Sequence, residues 1–91
     1  MATVRTVIAG KTWTLRFVRS ITHDGVKCDG LCDFEKREIR VLSSLNGQEL
    51  VDTVIHEIMH AAGWNLHEEF VAQTAEDIAG ALYHPEVRGR I

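Results

Sequence analysis

The 91-residue sequence is poor in staples and in net charge: it has two cysteines, one proline and a formal net charge of -3. Two cysteines, Cys28 and Cys32, are too few for a disulfide scaffold and suit a reducing compartment. Ten Lys+Arg against thirteen Asp+Glu argue against a dominant electrostatic grip on nucleic acid. No apolar run approaches the ~18 residues a membrane span needs, and Met1-Ala2-Thr3-Val4-Arg5 does not open a secretory signal. A cytoplasmic protein with no membrane partner is therefore expected. No repeat, linker or low-complexity stretch interrupts the chain, so residues 1–91 are expected to form one domain. A domain of this size hides only about two-thirds of the surface its unfolded chain exposes, so a metal ion or a partner subunit would help stabilise a thin core. What the sequence has in excess is histidine, five in all.

Two β-rich runs, 3–8 and 12–18, flank Ala9-Gly10-Lys11. In the second, Trp13, Leu15 and Phe17 alternate with Thr12, Thr14 and Arg16, as in the half-buried strand of a hairpin. Residues 19–33 carry three aspartates, two glycines and both cysteines without sustained periodicity, so they read as a loop with a short strand at its end. Residues 38–42 alternate charged and apolar side chains and read as an edge strand.

Asn46 and Glu49 stand as a cap and its capping-box partner for a helix over 47–62. Its apolar residues, Val51, Val54, Ile55, Ile58, Met59 and Ala62, recur at helical spacing, and Gly63 is placed as a left-handed stop. Glu68 and Glu69 open a second helix over 68–83, striped by Val71, Ala75, Ile78 and Leu82, ending before Pro85. Residues 84–91 read as a loose tail. The expected fold class is α+β: a small antiparallel or mixed sheet over about 2–42, made of the hairpin and the edge strand, packed with two helices.

The first helix contains His56-Glu57-Ile58-Met59-His60, an H-E-x-x-H. Histidines at i and i+4 stand about 6 Å apart on one helical face, so both imidazoles reach one ion from a rigid backbone. Glu57 between them is placed to hold a metal-bound water and take its proton. Composition alone would produce about 0.02 such matches in a chain like this. At 100° per residue, His56 and His60 fall about 140° to 180° from the apolar stripe, so they should line a cleft rather than join the core.

Zinc in such a site takes a third protein ligand and keeps the fourth position for water. His67, Glu68 and Glu69 are within reach in sequence. His67 gives a pattern that resembles the metzincin signature, with Gly63 in place but one residue too many before the third histidine. Glu69 gives a better resemblance to gluzincins, whose third ligand is a glutamate in the following helix: Val71, Ala75 and Ile78 stand where such a family has apolar residues. Glu69 also lies about 160° from the stripe through Val71, as the two histidines lie off theirs. Glu69 is thus the first choice, with Glu68 and then His67 as alternatives.

Much of the chain resembles small phage-encoded and prophage-encoded zinc metallopeptidases distantly related to the ImmA/IrrE-like proteins. The residues that carry the resemblance are Gly30-Leu31-Cys32-Asp33 before a charged strand ending Ile39-Arg40-Val41, the helix 53–61 around H-E-x-x-H, and Glu68-Glu69 before an alanine-rich amphipathic helix. The resemblance implies a minimal zincin-like fold, one Zn²⁺ and hydrolysis of a peptide or protein substrate.

His56, His60 and Glu69 are then expected to hold the zinc while Glu57 acts as general base. A substrate peptide would add to the edge strand at 38–42. The alternative is a zinc-stabilised binding module in phage biology, in which the ion supplies folding energy. A zinc hydrolase acting on RNA is disfavoured by the acidic charge. Cys28 and Cys32, with His23 upstream, are expected to be free thiols rather than half of a structural zinc site, one of them packed in the core.

Overall fold

The computed structural model describes residues 3–63 and 65–91; the expected start of the sheet region at residue 2 lies outside them. Six strands precede the helices: β1 (Thr3–Ile8), β2 (Lys11–Val18), β3 (Thr22–His23), β4 (Val26–Lys27), β5 (Gly30–Asp33) and β6 (Glu38–Leu42). Three helices follow: α1 (Gly47–Ala62), α2 (Glu68–Tyr83) and the four-residue α3 (Pro85–Arg88). The α+β class with a small mixed sheet and two main helices is as expected.

β1 and β2 form the hairpin through Ala9 and Gly10, both at positive φ (49° and 78°), the mirror-image turn that matches strand twist. The same device recurs at Asp24 (51°) and Gly25 (78°), which join β3 to β4. The segment before β5 is thus more ordered than the expected loop, and β5 is the short strand expected at its end. An Asp-Gly between two extended dipeptides was the signal for this second hairpin. Ile21, 4% exposed, anchors this segment, and its carbonyl accepts from the Cys28 N–H.

The main sheet runs in the order β1-β2-β6-β5, with β6 parallel to β2 and antiparallel to β5. The expectation that 38–42 is an edge strand is corrected: β6 is internal, and β1 and β5 are the edges. The alternation has another cause. Helices cover one face of the sheet only, so Ile39 and Val41 are buried against them while Glu38 and Arg40 face the other way. On that open face Glu38 pairs with Arg40 at 2.9 Å and Arg16 at 3.2 Å.

The core lies between sheet and α1. Ile8, Trp13, Ile39 and Val41 are buried, and Leu50, Val54, Ile58 and Ala61 of α1 pack on them. Phe34 meets Trp13 edge-to-face, ring centroids 5.7 Å apart. Cys32 packs against the same cluster, as expected of one of the two free thiols.

Four local expectations change. Asn46 precedes α1 in extended conformation but its side chain makes no cap hydrogen bond. Gly63 ends α1 at φ -140°, not in the left-handed region. Its value is space: a Cβ there would stand 2.9 Å from Leu66 Cγ and Cδ1, and the Leu66 N–H donates to the Gly63 carbonyl at 2.9 Å. Absence of a side chain lets the chain fold back between the helices. The tail is also not loose, because α3 begins at Pro85 and His84 Nδ1 accepts from the Glu86 N–H. Finally, the buried stripe of α2 is Val71, Ala75 and Ala79, whereas Ile78 and Leu82 are 39% and 38% exposed. None of the helices among the described residues is long and apolar enough to cross a membrane.

Candidate metal centre

α1 delivers His56 and His60 from successive turns of one face. Their Nε2 atoms stand 3.2 Å apart and their side chains are 23% and 20% exposed. Two ligands about 2.05 Å from one tetrahedral ion would lie about 3.3 Å from each other, so this separation suits a shared ion.

The third donor comes from the first turn of α2. Glu68 Oε1 is 3.0 Å from His56 Nε2, and Oε2 is 2.7 Å from His60 Nε2. One donor atom from each of His56, His60 and Glu68 lies within 4.8 Å of the others, and this group could hold a metal ion. Neither Glu69, the first choice from the sequence, nor His67 joins such a group among the described residues.

The physical reason is the direction in which α2 turns its buried side. Glu68, Val71, Ala75 and Ala79 follow at spacings of three, four and four, so Glu68 continues the buried stripe and lies about 20° from its centre. Glu69 lies about 120° from that centre. A donor on α2 must face α1 to meet the histidines, so it stands beside the stripe that packs α2 inward, as Glu68 does. In the sequence Glu69 is favoured by its position opposite the apolar stripe, as the histidines lie opposite theirs; on α2 the donor lies beside the stripe instead, and exchanging Ile78 and Leu82 for Ala79 moves the stripe centre by only about 30°.

Glu57 is the buried charged residue of the described chain, 8% exposed. It lies against the edge strand: a Cβ built on Gly30 would stand 2.9 Å from Glu57 Cγ and 3.0 Å from its Oε2. Burial pushes the Glu57 carboxyl above its ordinary value, His56 and His60 pull it down, and Glu68 pushes it up again. The residue between the two histidines is thus held in a largely buried position among charges of both signs.

A cleft of about 270 Å³ opens beside it, lined by Asp29, Gly30, Asp52, Thr53, His56 and Glu57. Asp29 and Asp52 were not singled out by the sequence reading. Asp52 was legible, since it stands four residues before His56 and so shares its helical face. Asp29 was not, because only the pairing of β5 with β6 brings it there. His23, Cys28 and Cys32 form no metal-binding group among the described residues.

No protein-family model, curated protein or solved structure matches this chain.

Proposed function

We propose that the protein is a zinc-dependent metallopeptidase of minimal zincin-like build, akin to the small phage-encoded and prophage-encoded enzymes that its motifs resemble. The observation that carries the reading is the convergence of His56, His60 and Glu68 within 4.8 Å beside a buried Glu57. Two imidazoles and one carboxylate, leaving a fourth position for water, suit catalytic zinc. The ion held by these residues would supply Lewis-acid polarisation of a water and of the scissile carbonyl.

Glu57 takes the water's proton and returns it to the leaving amine. Burial favours the first of these steps, because stabilising the neutral carboxyl makes Glu57 a stronger base toward the water's proton. The substrate peptide lies along the free edge of β5, residues Gly30–Asp33, rather than along β6, which is flanked on both sides. Gly30, with no side chain, lets that edge approach Glu57 closely. A cytoplasmic location, in a bacterial host where the chain is phage-encoded, fits the reduced cysteines.

Comparison of zinc-loaded wild type with Glu57→Gln tests the assignment. Both should bind one zinc per chain, and only the wild type should hydrolyse a peptide library. Equal hydrolysis by the two proteins would remove Glu57 from its role.

A second reading, a zinc-stabilised binding module, is favoured by the small number of fully buried apolar side chains, chief among them Ile39, Val41 and Val71. It predicts indifference to Glu57→Gln together with unfolding on chelation.

A further inference from the structure

The cleft beside Glu57 has a one-sided charge. Of its six lining residues, Asp29, Asp52 and Glu57 are carboxylates and none is Lys or Arg. Asp29 is exposed and Asp52 half-buried, and neither makes an ion pair among the described residues. Glu57, 8% exposed, lines the same space, and none of the side-chain hydrogen bonds or ion pairs among the described residues involves its carboxylate. Carboxylates of one sign lining a concave wall raise the local concentration of cations.

These three carboxylates do not gather to metal-ligand distances; among the described residues only His56, His60 and Glu68 do. A bare metal ion therefore finds no chelating set among them. A cation on a flexible apolar stem fits better: the floor at Gly30 is bare backbone, and the Thr53 methyl lies beside it, 2.9 Å from where a Gly30 Cβ would be. The volume of about 270 Å³ has room for one long side chain rather than a drug-sized ligand.

The position is also defined. His56 and Glu57 line the cleft, whereas His60 and Glu68 do not, so the cleft lies on the side of the donor group away from α2, where the free edge of β5 begins at Gly30. A peptide along that edge would drop one side chain into it next to the bond under attack. We propose that this cleft is the subsite for a lysine or arginine side chain adjoining the scissile bond, an inference that deepens the peptidase reading and rests on it.

The test uses zinc-loaded protein and a set of end-blocked decapeptides in which a single Lys, or norleucine as its uncharged counterpart, is walked through one sequence. Cleavage should fall beside the Lys, with kcat/KM about tenfold above the norleucine peptide. Asp29→Asn and Asp52→Asn should each shrink that ratio and together erase it, with zinc stoichiometry and circular dichroism unchanged. Binding of the same peptides to zinc-loaded Glu57→Gln, read by fluorescence anisotropy, should favour Lys about fivefold and lose the preference at high salt.

Cleavage without a Lys preference would overturn the subsite and leave the peptidase reading standing. A Lys preference in binding without cleavage by the wild type would support the subsite and overturn the peptidase reading. Neither cleavage nor preference would overturn both. A preference that survives the double Asn variant would overturn the assignment to Asp29 and Asp52.

Discussion

Glu68 Oε2 lies 2.7 Å from His60 Nε2, joining the first turn of α2 to the last turns of α1 across the Gly63–Leu66 reversal. Glu68 is 66% exposed at its side chain, so the contact alone is a weak surface pair. Its importance is that the same carboxylate also reaches His56 Nε2 at 3.0 Å. A surface glutamate that meets two imidazoles on one helix completes a group that could hold a metal ion.

Glu68→Gln should therefore weaken zinc binding by more than about a hundredfold, since even partners outside the ligand shell cost ten- to hundredfold. Glu69→Gln should leave affinity within about threefold. Competition titration against a chelating dye distinguishes them, and the reverse order would restore Glu69 as the ligand.

Removal of the metal should lower stability through mass action alone. Zinc at a thousandfold excess over its Kd adds about 4 kcal/mol to a site absent from the unfolded chain. Thermal unfolding with and without chelator should show a Tm that climbs with free zinc and falls back in His60→Ala. A Tm independent of zinc would mean that the donor group binds no ion in the folded chain.

Gly30→Ala should separate the edge strand from α1, because its Cβ would stand 2.9 Å from both Glu57 Cγ and Thr53 Cγ2. Overpacking of this kind costs about 1–3 kcal/mol. Urea unfolding measures the cost, and the double variant Gly30→Ala/Thr53→Ser should recover part of it by removing one of the two obstacles.

The two cysteines should differ in chemistry. Burial, then the charges of Glu57 and Asp33, push the Cys32 thiol from 9.0 up to about 11. At pH 8 such a thiol is about 0.1% thiolate, so iodoacetamide should modify Cys28 first in the native protein. The effect on stability follows from the raised value. The unfolded chain loses this proton first, so the contribution of Cys32 is full below about pH 9 and declines as pH rises towards 11. Urea midpoints at pH 8 and pH 10 should fall further apart in wild type than in Cys32→Ala.

Much of the architecture was legible because it is local. The hairpin through Ala9-Gly10, β6 with its alternation, and both long helices have the expected bounds to within a residue. Misreadings arose where one local signal has two tertiary causes. Alternation of Glu38 and Arg40 with Ile39 and Val41 means one solvated face, and that arises in an internal strand as readily as at an edge when helices cover only one side. Asp24-Gly25 made a second small hairpin that the polar composition of 19–33 concealed.

The sequence by itself determined the pair His56 and His60, and Glu57 between them, because their relation is a property of 3.6 residues per turn and needs no partner element. It also determined that a carboxylate or histidine near residue 68 would complete the group. Only the tertiary structure decided which one: the choice depends on how the Gly63–Leu66 turn docks α2, and a one-residue step along that helix swings a side chain by about 100°. The same holds for the free edge at β5 and for Asp29 beside Asp52, which sequence separates by 23 positions and strand pairing brings to one cleft.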